Sequence, residues 1–167
     1  WLRTQGILHP RFEGDFDGWL IGVRELHCER APGRTCMSAL RSMESFSSPA
    51  RNQSKGCGGL MRVAPVGLFE ASAPQPGASG SSGPSAFDLG CETAALTHGH
   101  RTGILAAGLF ADIISQLLRG ASLPDAIEHG RTVLRQRPGH EEVEASVRRA
   151  CELAAQPADP TAIPEAL

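Results

Sequence analysis

The sequence lacks the Cys-x-x-Cys spacing that is typical of zinc sites and redox motifs, although it has five cysteines in 167 residues. These are Cys28, Cys36, Cys57, Cys91 and Cys151. An odd number of cysteines without that spacing argues against a disulfide framework. We therefore expect buried free thiols, a reducing compartment and a cytoplasmic location.

Long apolar runs, alternating patterns, internal repeats and a strong net charge are also missing. Without an uninterrupted apolar run of about 18 residues, no transmembrane helix is expected. No segment alternates apolar and polar residues, as a half-buried strand would. A net charge of −2 predicts no general attraction to nucleic acid or to a membrane surface. The length and the apolar fraction of 41% instead suit one soluble globular domain with a real core.

Apolar residues recur at helical spacing along most of the chain, which predicts an all-α fold with an orthogonal multi-helix assembly rather than a coiled coil. The predicted helices lie at about residues 12–26, 35–43, 59–68, 85–98, 102–119, 122–136 and 140–155. Thr35 and Ser122 suit helix N-caps, and Gly120 suits the position after a helix end. Pro65 lies inside its segment, so we expect a kink or a break there.

The composition predicts a single domain over residues 1–156, followed by a proline-rich tail at 157–167. Within the domain, residues 71–84 are mostly Ala, Ser, Pro and Gly, which bury too little surface to offset the entropy of ordering. We therefore expect a flexible loop there. The residues predicted to face the core include Phe12, Phe16, Trp19, Val23, Leu26, Met61, Val143, Val147, Ala150 and Cys151.

The most informative stretch is residues 54–68, with the sequence SKGCGGLMRVAPVGL. Gly56, Gly58 and Gly59 fall within four positions, and glycines that dense let backbone N–H groups approach a ligand closely. A helix starting near Gly59 would present its positive end to a phosphate. The stretch fits neither the phosphate-binding loop nor the dinucleotide fingerprint, and taken alone a tight packing turn explains it as well.

Two further motifs accompany this glycine turn in a fixed order. Residues 30–35 read RAPGRT upstream, and residues 97–100 read THGH downstream, ahead of a helix rich in small residues. Together the three motifs, over roughly residues 10–120, resemble the ADP-ribosylglycohydrolase family, which includes the dinitrogenase reductase-activating glycohydrolases. The resemblance implies an all-α fold and a hydrolase that cleaves the glycosidic bond of an ADP-ribosyl group. Its partner would be an ADP-ribosylated protein or a small ADP-ribosyl compound.

The resemblance also implies which residues bind the substrate. By position, these are Asn52, Gln53, Ser54, Lys55, Gly56, Cys57, Gly58 and His98. Many relatives carry Asn where Cys57 stands, and Lys55 offers a charge to a phosphate. His98 contacts ribose or phosphate in this interpretation, whereas the alternative is a histidine that bonds the carbonyls of a helix end. For Arg62 we favour a structural role that fixes the helices over electrostatic support of the site.

The family binds two magnesium ions through a Thr-Asp-Asp motif and an Asp-x-Asp-Thr motif, and this sequence contains neither. Its one Asp-x-Asp run, Asp15-Phe16-Asp17, lies in another segment and lacks the threonine, so we expect both aspartates on a solvated helix face. We therefore assign no metal ligand and no catalytic residue. Because the chain starts at Trp1 and its first methionine is Met37, we expect an internal part of a longer reading frame or a truncated relative.

Three hypotheses remain open at this point. The first is a magnesium-dependent hydrolase whose activity this chain alone does not carry. The second is a non-catalytic module that binds ADP-ribose and never had the metal ligands. The third is a remnant of the family that serves only as a helical interaction domain.

Overall fold

The computed structural model describes residues 6, 9–16, 18–28, 30–72 and 83–156. Within these ranges the chain forms seven α-helices, two 3-10 helices and no strand, so the all-α prediction is confirmed. The α-helices are α1 (Arg34–Arg41), α2 (Gly58–Met61), α3 (Ala64–Ser72), α4 (Ala86–Ala95), α5 (Arg101–Leu118), α6 (Leu123–Arg135) and α7 (Glu141–Ala154). Asp17, most of the 71–84 loop and the 157–167 tail lie outside the described residues, and the domain division stays a prediction.

Helix α5 is the centre of the assembly, because α2, α3, α4, α6 and α7 all pack against it. One side of α5 contributes Leu105 and Leu109 to a core cluster with Phe87, Leu134 and Val143. The other side places Ala107 and Ala111 against Val63 and Ala94. Burying each large apolar side chain contributes about 1.5–3 kcal/mol, so these two clusters hold the helices together.

Helix α5 is also long and apolar enough to cross a membrane, judged by length and composition alone. Its 18 residues have a mean hydropathy of 1.3, and 44% of them are buried inside the structure. The sequence analysis predicted this helix at 102–119 but did not identify it as a candidate membrane span, because it required an uninterrupted apolar run. A central core helix passes the same test, and the packing of α5 against its neighbours accounts for its hydropathy.

Glycines bring the backbones of α4 and α5 into direct contact. A Cβ atom at Gly90 would lie 2.8 Å from the Cβ of Ala111. A Cβ atom at Gly108 would lie 2.7 Å from the carbonyl oxygen of Phe87 and would also overlap the Cys91 sulfur. Gly67 of α3 meets the backbone of α5 in the same way. These three glycines therefore set how closely α3 and α4 approach the central helix.

Capping residues flank the later helices, and those at Ser122 and Gly120 were predicted from the sequence. The Ser122 hydroxyl accepts a hydrogen bond from the Asp125 amide at 3.3 Å at the start of α6. Ser85 caps α4 by accepting from the Asp88 amide at 3.1 Å. Gly120 follows the end of α5 with a φ of +91°, a conformation that glycine adopts without strain.

The helix predicted over residues 12–26 is absent. Two short 3-10 helices, Trp19–Gly22 and Arg24–Leu26, take its place, and the Trp19 side chain predicted to be core is 79% exposed. Gly14, Gly18 and Gly22 recur every four residues here, and each glycine costs a helix interior about 1 kcal/mol relative to alanine. The apolar spacing was therefore outweighed by the loss of helix propensity.

The aromatic residues of this segment pack against one another instead. The Phe46 ring lies edge-on to the Phe12 ring at 5.1 Å and to the Phe16 ring at 5.5 Å. The backbone of Glu13 pairs with that of Ser45 in an isolated bridge. The N-terminal segment is thus fixed by contacts with the loop after α1 and not by a helix of its own.

Four further core predictions are wrong. Leu26 is 46% exposed and Met61 is 74% exposed. Ala150 and Cys151, on the second half of α7, are exposed as well. The predicted break near Pro65 is confirmed, since α2 ends at Met61 and α3 begins at Ala64. Pro65 fits there because the first turn of a helix leaves its N–H groups without partners.

We expect Gly108→Ala to lower the free energy of unfolding by about 1–3 kcal/mol, because the added methyl group overpacks the α4–α5 contact. Chemical denaturation measures this change. Gly103→Ala is the matched control in the same helix, since its Cβ would meet its nearest neighbour, the Ser54 carbonyl oxygen, at 3.4 Å, an ordinary contact. Equal effects of the two substitutions would contradict the close-packing argument.

Candidate functional site

Asn52 ties the glycine turn (residues 54–59) to the segment that follows α4. Its Oδ1 atom accepts hydrogen bonds from the backbone amides of Ser54 at 3.0 Å and of Gly99 at 3.1 Å. Its Nδ2 atom donates to the Thr97 carbonyl at 2.9 Å. The Asn52 amide is thus engaged at both ends by the backbone, so its first role is to hold the site together.

Ser54 links the turn to α1. Its hydroxyl lies 2.9 Å from the Thr35 hydroxyl and accepts a hydrogen bond from the Gly56 amide at 3.1 Å. Thr35 was predicted to be an N-cap, but Gly33 occupies that position and Thr35 lies inside the first turn of α1. The RAPGRT motif therefore delivers a hydroxyl to the glycine turn, which is how two motifs distant in sequence meet.

His98 lies directly beneath the glycine turn and is 1% exposed. A Cβ atom at Gly58 would lie 3.3 Å from its Cε1 atom, and one at Gly59 would lie 3.3 Å from its Nδ1 atom. Positive φ angles occur at Gly6, Gly120 and Gly139 but not in the turn. The turn glycines are therefore required for close packing over the imidazole, a reason that the sequence prediction did not identify.

The helix that follows the turn does not supply the phosphate site that its sequence suggested. Helix α2 covers only Gly58–Met61, a single turn. A helix dipole is the sum of aligned peptide dipoles, and one turn sums few of them. Any anion bound here would have to be held by individual N–H groups and side chains.

The two ring nitrogens of His98 have different surroundings. Nδ1 lies 2.8 Å from the Thr97 hydroxyl, whereas Nε2 is buried without a hydrogen-bond partner among the described residues. Burial, and secondarily the nearby Arg62 charge, lower the pKa of His98 below its ordinary value of 6.5. A neutral imidazole with one unsatisfied buried nitrogen is therefore the state of this residue at neutral pH, and such a nitrogen costs about 1–3 kcal/mol.

Arg62 has the structural role that the sequence favoured. Its guanidinium group donates to the carbonyl oxygens of Thr93 at 2.6 Å and Ala94 at 3.2 Å, near the end of α4. It also donates to the Cys36 sulfur at 3.5 Å. These bonds fix α1, α2 and α4 around His98.

Lys55 is paired with Glu142, which the sequence prediction did not single out. Its Nζ atom lies 2.7 Å and 2.8 Å from the two carboxylate oxygens, and the Thr102 hydroxyl donates to the same carboxylate at 2.8 Å. These bonds lower the pKa of Glu142. Both charged side chains are half exposed, and such pairs contribute at most about 1 kcal/mol, so Lys55 can exchange this partner for an anion at low cost.

A large cavity of about 1040 Å³ opens beside the turn. Its walls are mostly apolar, and Cys57, Gly58 and Arg62 line the end nearest to the turn. The apolar walls include Phe12, Phe16, Leu20, Leu26, Met37, Leu40, Phe46 and Met61. Its volume is at the upper end of the range found for small-molecule sites. Gln53, by contrast, is exposed on the outer side of the loop.

The described residues do not fit the two-magnesium centre that the resemblance implies. Within residues 6, 9–16, 18–28, 30–72 and 83–156, no group of three His, Cys, Asp or Glu side chains could hold a metal ion. Among the described residues that line the cavity, Asp15 is the one carboxylate. The buried Asp112 is already paired with His129 at 2.9 Å.

We expect Asn52→Ala to destabilise the protein by about 1–3 kcal/mol, because it leaves the Thr97 carbonyl and two amides without their partner. Thermal or chemical unfolding measures the loss. Gln53→Ala is the control, since this neighbour is exposed. A negligible effect of Asn52→Ala would show that the turn is not held by this side chain.

The lowered pKa of His98 predicts a pH dependence of stability. The histidine of the unfolded state has a pKa near 6.5, and that of the folded state is lower. Between the two pKa values the unfolded state binds a proton and the folded state does not. Stability due to this group is present above about pH 6.5 and is lost as the pH falls toward the lowered folded pKa. The free energy of unfolding of the unaltered chain should therefore be larger at about pH 7.5 than at about pH 5.5, and we expect this difference to be smaller in His98→Gln. An unchanged difference in the variant would contradict the burial of a neutral imidazole.

Comparisons with known proteins identify the family of this chain. The family model for ADP-ribosylglycohydrolase matches residues 1–167, well beyond the stretch of roughly 10–120 that the motifs suggested. No curated protein and no solved structure matches the chain significantly. The family acts on ADP-ribosylated substrates and is generally metal-dependent. With its three motifs brought together around His98 and a family match over its whole length, the chain belongs to the ADP-ribosylglycohydrolase family.

Proposed function

We propose that this chain recognises an ADP-ribosyl group at the glycine turn, as part of a hydrolase that cleaves its glycosidic bond. The observation that carries the proposal is the buried, unpaired Nε2 atom of His98 beneath the turn. Buried polar atoms in native proteins almost always have partners, so an unpaired one beneath a turn that lines a cavity suggests a ligand atom.

The chemistry of the site suits the two phosphates and the ribose hydroxyls of ADP-ribose. The turn offers backbone N–H groups without intervening Cβ atoms, and Lys55 offers a positive charge once it leaves Glu142. Charge-assisted hydrogen bonds of this kind are about twice as strong as neutral ones. The apolar cavity beside Cys57 and Gly58 offers room for the less polar parts of the ligand.

Hydrolysis needs more than the described residues provide. Cleaving a glycosidic bond requires a group that donates or accepts a proton at the bond and at the attacking water. We assign that role to no residue here, and the carboxylates do not form a metal cluster. We therefore propose that magnesium-dependent hydrolysis belongs to the complete catalytic centre of the family and that this chain alone binds ADP-ribose without turning it over.

Two parts of the proposal concern partners and location. The substrate class is an ADP-ribosylated protein or a small ADP-ribosyl compound, in keeping with the family. A cytoplasmic location is consistent with the five free cysteines. The expectation that these thiols are buried was wrong, since Cys28, Cys57 and Cys151 are exposed and Cys36 and Cys91 are partly exposed.

The test is a calorimetric titration with ADP-ribose, with and without magnesium. We expect binding that needs no magnesium and that weakens about tenfold in Ser54→Ala, because losing its bonds to Thr35 and Gly56 removes about 1 kcal/mol of support from the turn. Ser72→Ala is the control, since its hydroxyl bonds only the Leu68 carbonyl on the exposed end of α3.

The other outcomes are equally informative. No binding by a folded chain would overturn the proposal and leave a helical interaction remnant. Binding only with magnesium would contradict the metal-free site and make Asp15 a metal-ligand candidate. The second candidate is a non-catalytic module that binds ADP-ribose and is not part of a hydrolase, because the described residues lack a metal cluster. Release of ADP-ribose from an ADP-ribosylated protein, in the presence of magnesium, would exclude that candidate and the proposed inactivity of this chain.

A further inference from the structure

We propose that Thr97 is a positioning residue, whose hydroxyl holds His98 in the tautomer with the proton on Nε2, so that the imidazole presents a neutral N–H donor to an oxygen atom of the ligand. This inference rests on the proposed function, since it names how the same site contacts ADP-ribose. It goes beyond the family resemblance by assigning the proton to one atom and by giving the reason for that assignment.

The direction of the hydrogen bonds around Thr97 follows from their first member. Arg62 can only donate, so the Cys36 sulfur accepts from it at 3.5 Å. The Cys36 thiol proton is then directed at the Thr97 hydroxyl oxygen, 3.8 Å away. With Cys36 as a donor to Thr97, the acceptor that remains for the Thr97 hydroxyl proton among the described residues is Nδ1 of His98, 2.8 Å away.

The state of His98 follows from this chain of donors. A neutral imidazole has one N–H donor and one acceptor nitrogen, so an accepting Nδ1 leaves the proton on Nε2. In the opposite arrangement, Nδ1–H would donate to the Thr97 oxygen and the Thr97 hydroxyl proton would point at the Cys36 sulfur. The Cys36 thiol proton would then lose Thr97 as its acceptor. Thr97 is 3% exposed, so water does not offer an easy alternative partner.

The Nε2 atom is buried and lies on the side of the ring that faces the glycine turn. Cβ atoms at Gly56 and Gly58 would each lie 3.6 Å from Nε2, so a ligand seated on the turn meets no side chain of these two residues between it and the ring. Arg62 is the charged group that acts on the ring by lowering the pKa of His98, and it belongs to the donor chain through its bond to Cys36. The donor is therefore neutral, and it selects an oxygen acceptor by hydrogen bonding and not by charge.

The experiment compares Thr97→Val, which keeps the shape but loses the hydroxyl, with Thr97→Ser, which keeps the hydroxyl. Nitrogen chemical shifts of labelled histidine at neutral pH report the tautomer, and the spectrum of His98→Gln identifies the His98 signals. We expect the Nε2–H tautomer in the unaltered chain and in Thr97→Ser, and a mixture of tautomers in Thr97→Val. Thr132→Val is the control, because the Thr132 hydroxyl donates to the Glu128 carbonyl on the exposed face of α6.

Titration of the same variants with ADP-ribose tests the contact with the ligand. We expect about tenfold weaker binding for Thr97→Val, close to the loss of one hydrogen bond, and nearly unchanged binding for Thr97→Ser. Equal sensitivity with ADP would place the acceptor in the ADP half of the ligand, and sensitivity with ADP-ribose alone would place it in the distal ribose.

Two results would overturn the inference. One is an Nδ1–H tautomer in the unaltered chain, and the other is full affinity of a folded Thr97→Val variant. The tautomer is measured without ligand, so the two proposals fail separately. A hydroxyl-dependent Nε2–H tautomer without any ADP-ribose binding would support the role of Thr97 and overturn both the proposed function and the ligand contact.

Discussion

The close approach of helix backbones to α5 is the constraint on which the rest of this structure depends. Gly90 and Gly108 let α4 and α5 touch, and Gly67 does the same for α3. Because α4 and α5 are consecutive and packed this tightly, the short segment between them has little freedom. That segment carries Thr97 and His98, and its position under the glycine turn is a consequence of the core packing.

The polar groups around the site serve mainly to hold it together. The Asn52 amide bonds the backbone at both ends, Ser54 joins the turn to α1, and Arg62 joins α2 to α4. After these bonds are made, one buried side-chain nitrogen of the site, Nε2 of His98, is left without a partner among the described residues. A buried polar atom without a partner lowers the stability of the folded protein. Such a loss is expected at a site where a bound ligand supplies the missing hydrogen bond.

An ion-pair network away from the site also contributes to its geometry. Arg131 and Arg135 of α6 both bond Glu144 of α7, and this lowers the pKa of Glu144 to about 2. The network fixes the first half of α7, whose Glu142 then reaches Lys55 in the glycine turn. The position of the Lys55 charge therefore depends on how α6 and α7 dock, and nothing local in the turn indicates this.

The sequence by itself determined the all-α class, the caps at Ser122 and Gly120, and the family, because these depend on periodicity, on local backbone preferences and on ordered motifs. The break before Pro65 was predictable for the same local reason. Only the tertiary structure decided that Trp19 and Met61 are exposed, since burial depends on which neighbours are present. It also decided that the turn glycines make room for His98 and that Glu142 pairs with Lys55, because contacts between segments far apart in sequence leave no local pattern.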